Sequence, residues 1–225
     1  MSSWDSSIDQ KLLKLYVGTT HNNVEELGVE KEIQAKCIVE HLNINNTDTV
    51  LDIGPGLGFI ASFVSPYCEK LICTDISSSF LAKARDLLQS FNNVECRKIN
   101  HGDLSAFRGI DKIYCLAVFI HFNIYDVGIY LEQVYNSLKP GGKFLFDFLD
   151  ADKFDPTNEV YQRHKQRYTY NKDALSTNIN FNSKSAVEKL CIHYGFDVQF
   201  ITEDHQPWVV LTKKPKKPTK FYNII

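Results

Sequence analysis

The chain has 225 residues, 44% of them hydrophobic and 12% aromatic, which is enough for one α/β domain with a sizeable core. A formal net charge of -2 excludes a global bias toward nucleic acid or an anionic membrane surface. No apolar run approaches the roughly 20 residues of a membrane span, and Met1 to Lys14 lacks the apolar core of a signal peptide, so a cytoplasmic protein is expected.

Residues 1–28 are polar and mixed, with Ile8, Leu12, Leu15 and Tyr16 at rough helical spacing, and are read as an N-terminal arm or lid. From Val29 to Leu42, Ile33, Cys37, Ile38 and Leu42 fall on one helical face, and Asn43 to Asp48 forms a polar loop. Thr49 to Ala61, T-V-L-D-I-G-P-G-L-G-F-I-A, then reads as a buried strand, a glycine-rich turn and a helix start. Gly54, Gly56 and Gly58 allow a ligand to lie directly against the backbone, with the amides of the helix start pointing at it. Such a turn is a cofactor cradle or, alternatively, an ordinary connection that happens to hold three glycines.

Lys70 to Asp75 is a second buried strand ending in an acid. Ser77 or Ser78 can cap the next helix, whose Phe80, Leu81, Ala84, Leu87, Leu88 and Phe91 share a face. Val94 to Ile99 is a third strand, followed by G-D-L at Gly102 to Leu104, and Lys112 to Phe119 is a fourth. Asp126 starts a helix through Val127, Tyr130, Leu131, Val134, Tyr135 and Leu138. That helix stops at Lys139-Pro140-Gly141-Gly142 before a fifth strand, Lys143 to Leu149. Residues 150–182 break the rhythm with a polar insertion holding Tyr161, Arg163, His164, Lys165, Arg167, Tyr168 and Tyr170, a candidate substrate cap. Ser185 and Glu188 have capping-box spacing, and Val187, Leu190, Cys191 and Tyr194 line a helix that stops at Gly195. Phe196 to Ile201 and Trp208 to Thr212 form an antiparallel hairpin, and Lys213 to Lys220 is a basic, solvated tail. The six cysteines, with no C-x-x-C spacing and no paired histidines nearby, read as reduced core residues rather than a metal site.

The alternation of strands and helices over 49–149 gives repeated βαβ units, hence a parallel sheet with helices on both faces, in one domain with core 29–149 and C-terminal part 183–225. Ligands bind at the carboxyl ends of such strands, where Gly54, Asp75, Asp103 and His121 all fall.

Glycine-rich cradles also serve dinucleotide dehydrogenases, so the turn alone does not choose a cofactor. From Thr49 to about Asp147 the chain resembles the class I S-adenosylmethionine-dependent methyltransferase family. The resemblance is carried by Asp52 in L-D-I-G-P-G-L-G, by Asp75, by G-D-L at Gly102 to Leu104 and by L-K-P-G-G at Leu138 to Gly142. It implies a Rossmann-like, doubly wound, seven-stranded and mostly parallel sheet whose last strand is antiparallel, with S-adenosylmethionine as cofactor. On matching positions Gly54, Gly56 and Gly58 would wrap its methionine part, and Asp52 would face its amino group. Asp75 would accept from both ribose hydroxyls, since a carboxylate has acceptor oxygens and no donor. Asp103 would accept from the adenine amino group, with Leu104 offering a backbone amide. A turn-stabilising Asp75 and a loop-capping Asp103 remain the alternatives.

His121, in A-V-F-I-H-F, matches the segment where many small-molecule members of the family place a histidine beside the methyl group. It is the candidate base or orienter, against a structural role between Ile120 and Phe122. His21 and Tyr16 are weaker candidates. The fourth strand lacks the [DNS]-P-P-[YF] signature of amino methyltransferases acting on adenine or glutamine, and lacks the acid of a magnesium-dependent catechol-type enzyme, so no metal is expected. The expected reaction is methyl transfer to an oxygen or nitrogen of a small metabolite. Arg163, Lys165 and Arg167 would clamp an anionic one, or lie on a solvated face. Nucleic acid is disfavoured as a partner. Modification of tRNA or of a protein side chain, with the basic tail as docking surface, and a non-catalytic partner of the same fold stay open as alternatives.

Overall fold

A computed structural model describes residues 24–157, 161–162, 165–166 and 179–215. Tyr16, His21, Arg163, His164, Arg167, Tyr168, Tyr170 and the tail beyond 215 lie outside the described residues. The strands are β1 (Thr49–Ile53), β2 (Lys70–Asp75), β3 (Val94–Lys98), β4 (Ile110–Cys115), β5 (Leu138–Asp147), β6 (Leu149–Asp150), β7 (Phe181–Asn182), β8 (Phe196–Phe200) and β9 (Trp208–Lys213). The main helices are α1 (Val24–Leu42), α2 (Phe59–Val64), α3 (Ser78–Leu88), α4 (Ile124–Ser137) and α5 (Lys184–His193).

Seven strands form one sheet in the order β3-β2-β1-β4-β5-β9-β8, and β6 pairs with β7 separately. Neighbours from β3 to β5 are parallel, whereas β9 runs antiparallel to both β5 and β8. The order reverses between β1 and β4, so the chain leaves these strands in opposite directions and opens a crevice above their carboxyl ends.

Side-chain alternation splits the core into two layers. Leu51, Ile53, Ile113, Phe144 and Phe146 face α4 and α5, where Val127, Tyr130, Leu131, Val134, Val187 and Cys191 close the layer. Val50, Leu71, Cys73, Tyr114 and Leu145 face α1, α2 and α3 through Ile38, Leu42, Ala61, Val64, Ala84 and Leu88.

Several boundaries differ from those expected. Helix α1 buries Ala35, Ile38 and Leu42 and leaves Ile33 57% exposed, so its inward face is rotated toward the smaller side chain. Strand β4 ends at Cys115 instead of Phe119, because Ala117 takes a left-handed φ of 56° and the chain turns into a 3-10 helix over Phe119–His121. Asn123, not Asp126, caps α4: its Oδ1 accepts from the amides of Tyr125 and Asp126, and Asp126 completes the capping box. Helix α5 starts at Lys184, whose amide donates to Oδ1 of the buried Asp150 at 3.1 Å, so a remote carboxylate does the work expected of Ser185 and Glu188. Lys213 is no tail residue either. Its Nζ reaches the carbonyls of Tyr135 and Leu138, both at 2.6 Å, and lies 4.4 Å from the Tyr135 ring centroid.

Candidate active site

A cleft of about 1010 Å³ opens above the carboxyl ends of the central strands. Its floor is the turn after β1. Gly54 donates its amide to the Thr74 carbonyl at 2.8 Å and holds φ +77°, and a Cβ there would stand 2.4 Å from Cγ2 of Val118. Only glycine lets this turn pass under Val118. Gly56 also lines the cleft, and a Cβ at Gly56 would meet nothing within 4 Å, so the missing side chain leaves open room for a ligand against the backbone.

Asp75 lines the cleft at the end of β2, and its Oδ1 accepts the Ser77 amide at 2.8 Å. Ser77 in turn caps α3 by accepting from the Phe80 amide. Asp75 thus stabilises its turn while also lining the cleft, so the turn role open to it from the sequence is present and does not remove the residue from the cleft wall.

His121 lines the same cleft as the glycine turn. It closes the 3-10 turn Phe119–His121, which a second segment ties down. The Asn180 amide donates to the Ile120 carbonyl at 2.7 Å, Asn180 Nδ2 donates to the His121 carbonyl at 2.8 Å, and Asn182 Nδ2 donates to the Phe122 carbonyl at 2.8 Å. The backbone under His121 is therefore held from two sides.

Asp52 does not line the cleft. It points to the same face as Val50, opposite Cys73 on β2 and Tyr114 on β4, and is 3% exposed. Burial pushes its carboxyl up to about 8, against a smaller opposing pull from the neighbouring Tyr114 hydroxyl, with Asp75 adding repulsion. Tyr114 Oη itself has no hydrogen bond of regular geometry among the described residues.

Asp103 and Leu104 are also absent from the cleft wall. The Asp103 carboxylate is exposed and turned onto Ser105, accepting from its amide at 3.0 Å and its hydroxyl at 2.6 Å, which holds its pKa below the usual range. Leu104 is fully buried in the core. The loop-capping alternative describes Asp103 as it stands here.

Other residues reach the cleft without having been singled out in the sequence. Asp147 ends β5, with Oδ1 accepting from the Ala117 amide and Oδ2 from Gln206 Nε2, both at 2.7 Å. Burial pushes it up to about 6, with those two hydrogen bonds opposing the shift. The signal was present, since an acid interrupts the apolar run K-F-L-F-D-F-L just as Asp75 closes β2. Gln206 and Trp208 come from the β8–β9 hairpin and Lys31 from α1, where its Nζ contacts Glu30 Oε1 at 3.2 Å and Gln34 Oε1 at 2.9 Å. Their approach depends on tertiary packing alone.

The chemistry of this donor set fits S-adenosylmethionine: an acceptor carboxylate for a ribose diol, an open glycine backbone, and a histidine beyond it. A family of sequences described as a methyltransferase domain matches residues 51–144. The malonyl-[acyl-carrier protein] O-methyltransferase of Priestia megaterium is 25% identical over 166 residues, covering 71% of this chain and 59% of that protein. The chain thus spans about three fifths of this curated relative. Among solved structures, magnesium protoporphyrin IX methyltransferase from Synechocystis with bound SAM superposes with a TM-score of 0.65 at 12% identity, over 94% of this chain and 93% of that one. An S-adenosylmethionine-dependent methyltransferase from Clostridium acetobutylicum gives 0.63 at 16% identity, over 91% and 98%. At those identities the likeness is one of fold.

Proposed function

The chain belongs to the class I S-adenosylmethionine-dependent methyltransferases, and from that premise we propose that it methylates an oxygen or nitrogen of a small metabolite in the cleft between Gly54 and His121. The observation that carries this reading is convergence: the glycine turn, Asp75 and His121 come from three strand ends and line one cleft. Its volume lies at the upper end of the roughly 300–1,000 Å³ usual for small-ligand sites, which suits a cofactor together with a small acceptor.

When bound, S-adenosylmethionine supplies a methyl group on a sulfonium, which is displaced in line and leaves a neutral thioether. The Asp75 carboxylate accepts from the ribose hydroxyls, and the backbone at Gly54 and Gly56 carries the amino-acid part. Asp52, under the floor, acts on the site through the turn rather than by lining it. His121 orients the acceptor and takes its proton where the acceptor carries one. Its fixed backbone supports that role, because alignment of the attacking atom supplies much of the rate in such a displacement.

The Priestia megaterium relative makes an acyl carboxylate one acceptor to test, with Lys31 the described cation nearest such use. The macromolecular alternative loses ground. Lys213 is engaged with the carbonyls of Tyr135 and Leu138 and Lys214 pairs with Asp197 at 3.0 Å, which takes two lysines from the basic run.

The test is transfer from methyl-labelled S-adenosylmethionine into a cell extract separated beforehand into small-molecule, RNA and protein fractions. Label in the small-molecule pool is the expected result. Label confined to RNA, or to protein in a form other than a carrier-bound acyl group, would overturn it, and wild-type protein that binds neither S-adenosylmethionine nor S-adenosylhomocysteine would remove the enzyme reading.

A further inference from the structure

Asn100 to Asp103 form a tight turn, closed by a 3.1 Å hydrogen bond from the Asp103 amide to the Asn100 carbonyl. Gly102 takes the third position with φ +70°, and a Cβ there would approach Cγ2 of Ile129 to 2.8 Å, so the turn is held to glycine by both backbone and packing. The geometry separates two neighbouring polar side chains. Asp103 turns onto Ser105, while His101, its side chain 46% exposed, lines the open cleft.

His101 is held there on three sides. Its Nε2 lies 3.1 Å from Asp126 Oδ1, and its ring makes edge contacts with Phe122 and Tyr130 at 5.5 and 5.4 Å between centroids. Asp126 is itself fixed by the α4 capping box, through its Oδ2 and the Asn123 amide. An ionised carboxylate only accepts, so Nε2 carries the proton, and in the neutral ring Nδ1 is left as an acceptor. Nδ1 has no hydrogen-bond partner among the described residues.

Its place along the sheet edge matters as much. The Asp75 carbonyl accepts from the Ile99 amide at 3.0 Å, so the turn carrying His101 begins immediately outside the acid that would hold the ribose. With the glycine turn over β1 and Asp75 at β2, the group next outward in the cofactor is its base.

Resting on the cofactor reading above, we propose that His101, with Asp126 as its positioning residue, accepts the hydrogen bond of the adenine 6-amino group, and that Asp103 does not. A purine with a 6-oxo group would place an acceptor against the Nδ1 acceptor. The site therefore discriminates adenine from hypoxanthine by the presence of a donor.

The test is calorimetric titration of the full chain with S-adenosylhomocysteine and with S-inosylhomocysteine, its 6-oxo counterpart, with thermal denaturation to check folding. Wild type is expected to prefer the adenosyl ligand by about tenfold to a hundredfold, the range for a mismatched polar contact. His101→Ala should bring the preference within about threefold, Asp126→Asn should reduce it, and Asp103→Ala should retain it. His101→Gln, whose amide can both donate and accept, should bind both ligands similarly. Collapse of the preference in Asp103→Ala with retention in His101→Ala would overturn the proposal while leaving the cofactor reading intact. A wild type that binds neither ligand would instead overturn the cofactor reading, and this proposal with it.

Discussion

Asp147 Oδ1 accepts a 2.7 Å hydrogen bond from the backbone amide of Ala117, a residue that holds a left-handed φ of 56°. A non-glycine residue in that conformation costs roughly 1–2 kcal/mol. The acid at the end of β5 thereby fixes where β4 stops and where the turn carrying His121 begins. Its second oxygen binds Gln206, so the same carboxylate also anchors the β8–β9 hairpin to the cleft.

Removing that anchor leaves the Ala117 amide without its partner. Asp147→Ala is expected to lower unfolding stability by about 1–3 kcal/mol in urea denaturation. Gln206→Ala should add less in the double variant than alone, because both act on one network.

Asp52 governs a pH dependence. Its unfolded value is 3.8, and burial raises the folded one to about 8, so between these pH values the folded state keeps a proton that the unfolded state releases. Stability therefore falls as pH rises through this window, by up to about 1.4 kcal/mol per pH unit, and the effect is absent below it. Asp52→Asn should gain in melting temperature over wild type progressively from pH 4 to pH 8, with the two curves meeting in acid. Parallel curves would show that the carboxyl stays ionised in the folded protein.

The two glycines of the cradle should separate folding from binding. Gly54→Ala drives a methyl into Val118 and is expected to cost about 1–3 kcal/mol of stability, the range for overpacking, and to lose S-adenosylhomocysteine binding. Gly56→Ala meets no atom and should cost only about 1 kcal/mol, for its backbone conformation. It should still weaken the ligand about tenfold by occupying the cradle. Unchanged affinity in Gly56→Ala would place the ligand elsewhere.

His121 distinguishes acceptor classes. A hydroxyl or ammonium acceptor needs a proton removed, so His121→Ala should lower kcat by about 10²–10⁴-fold while the dissociation constant of S-adenosylhomocysteine stays put. A carboxylate acceptor is already ionised and needs alignment alone, so the loss in kcat should then be no more than about tenfold. Comparing kcat and KM of the variant on the identified acceptor decides which applies.

The regular part of this protein was legible in its sequence. The boundaries of β2 and the start of β1 follow from apolar runs closed by Asp75 and opened by Thr49, and the Ser77 cap follows from local chemistry. These are effects of neighbours along the chain, as is the glycine turn. Where expectations and structure part, a distant residue intervenes: Asp147 holds the Ala117 turn just past the end of β4, Asp150 caps α5, and the carbonyls of Tyr135 and Leu138 draw in Lys213. The same divide runs through the site. Asp75 and His121 were identifiable because strand ends converge in any parallel sheet. Which of His101 and Asp103 faces the cleft was decided by one left-handed glycine, packed against Ile129 of α4. A side chain's direction at a turn depends on what packs behind it, and that contact exists only once the helix and the sheet have come together.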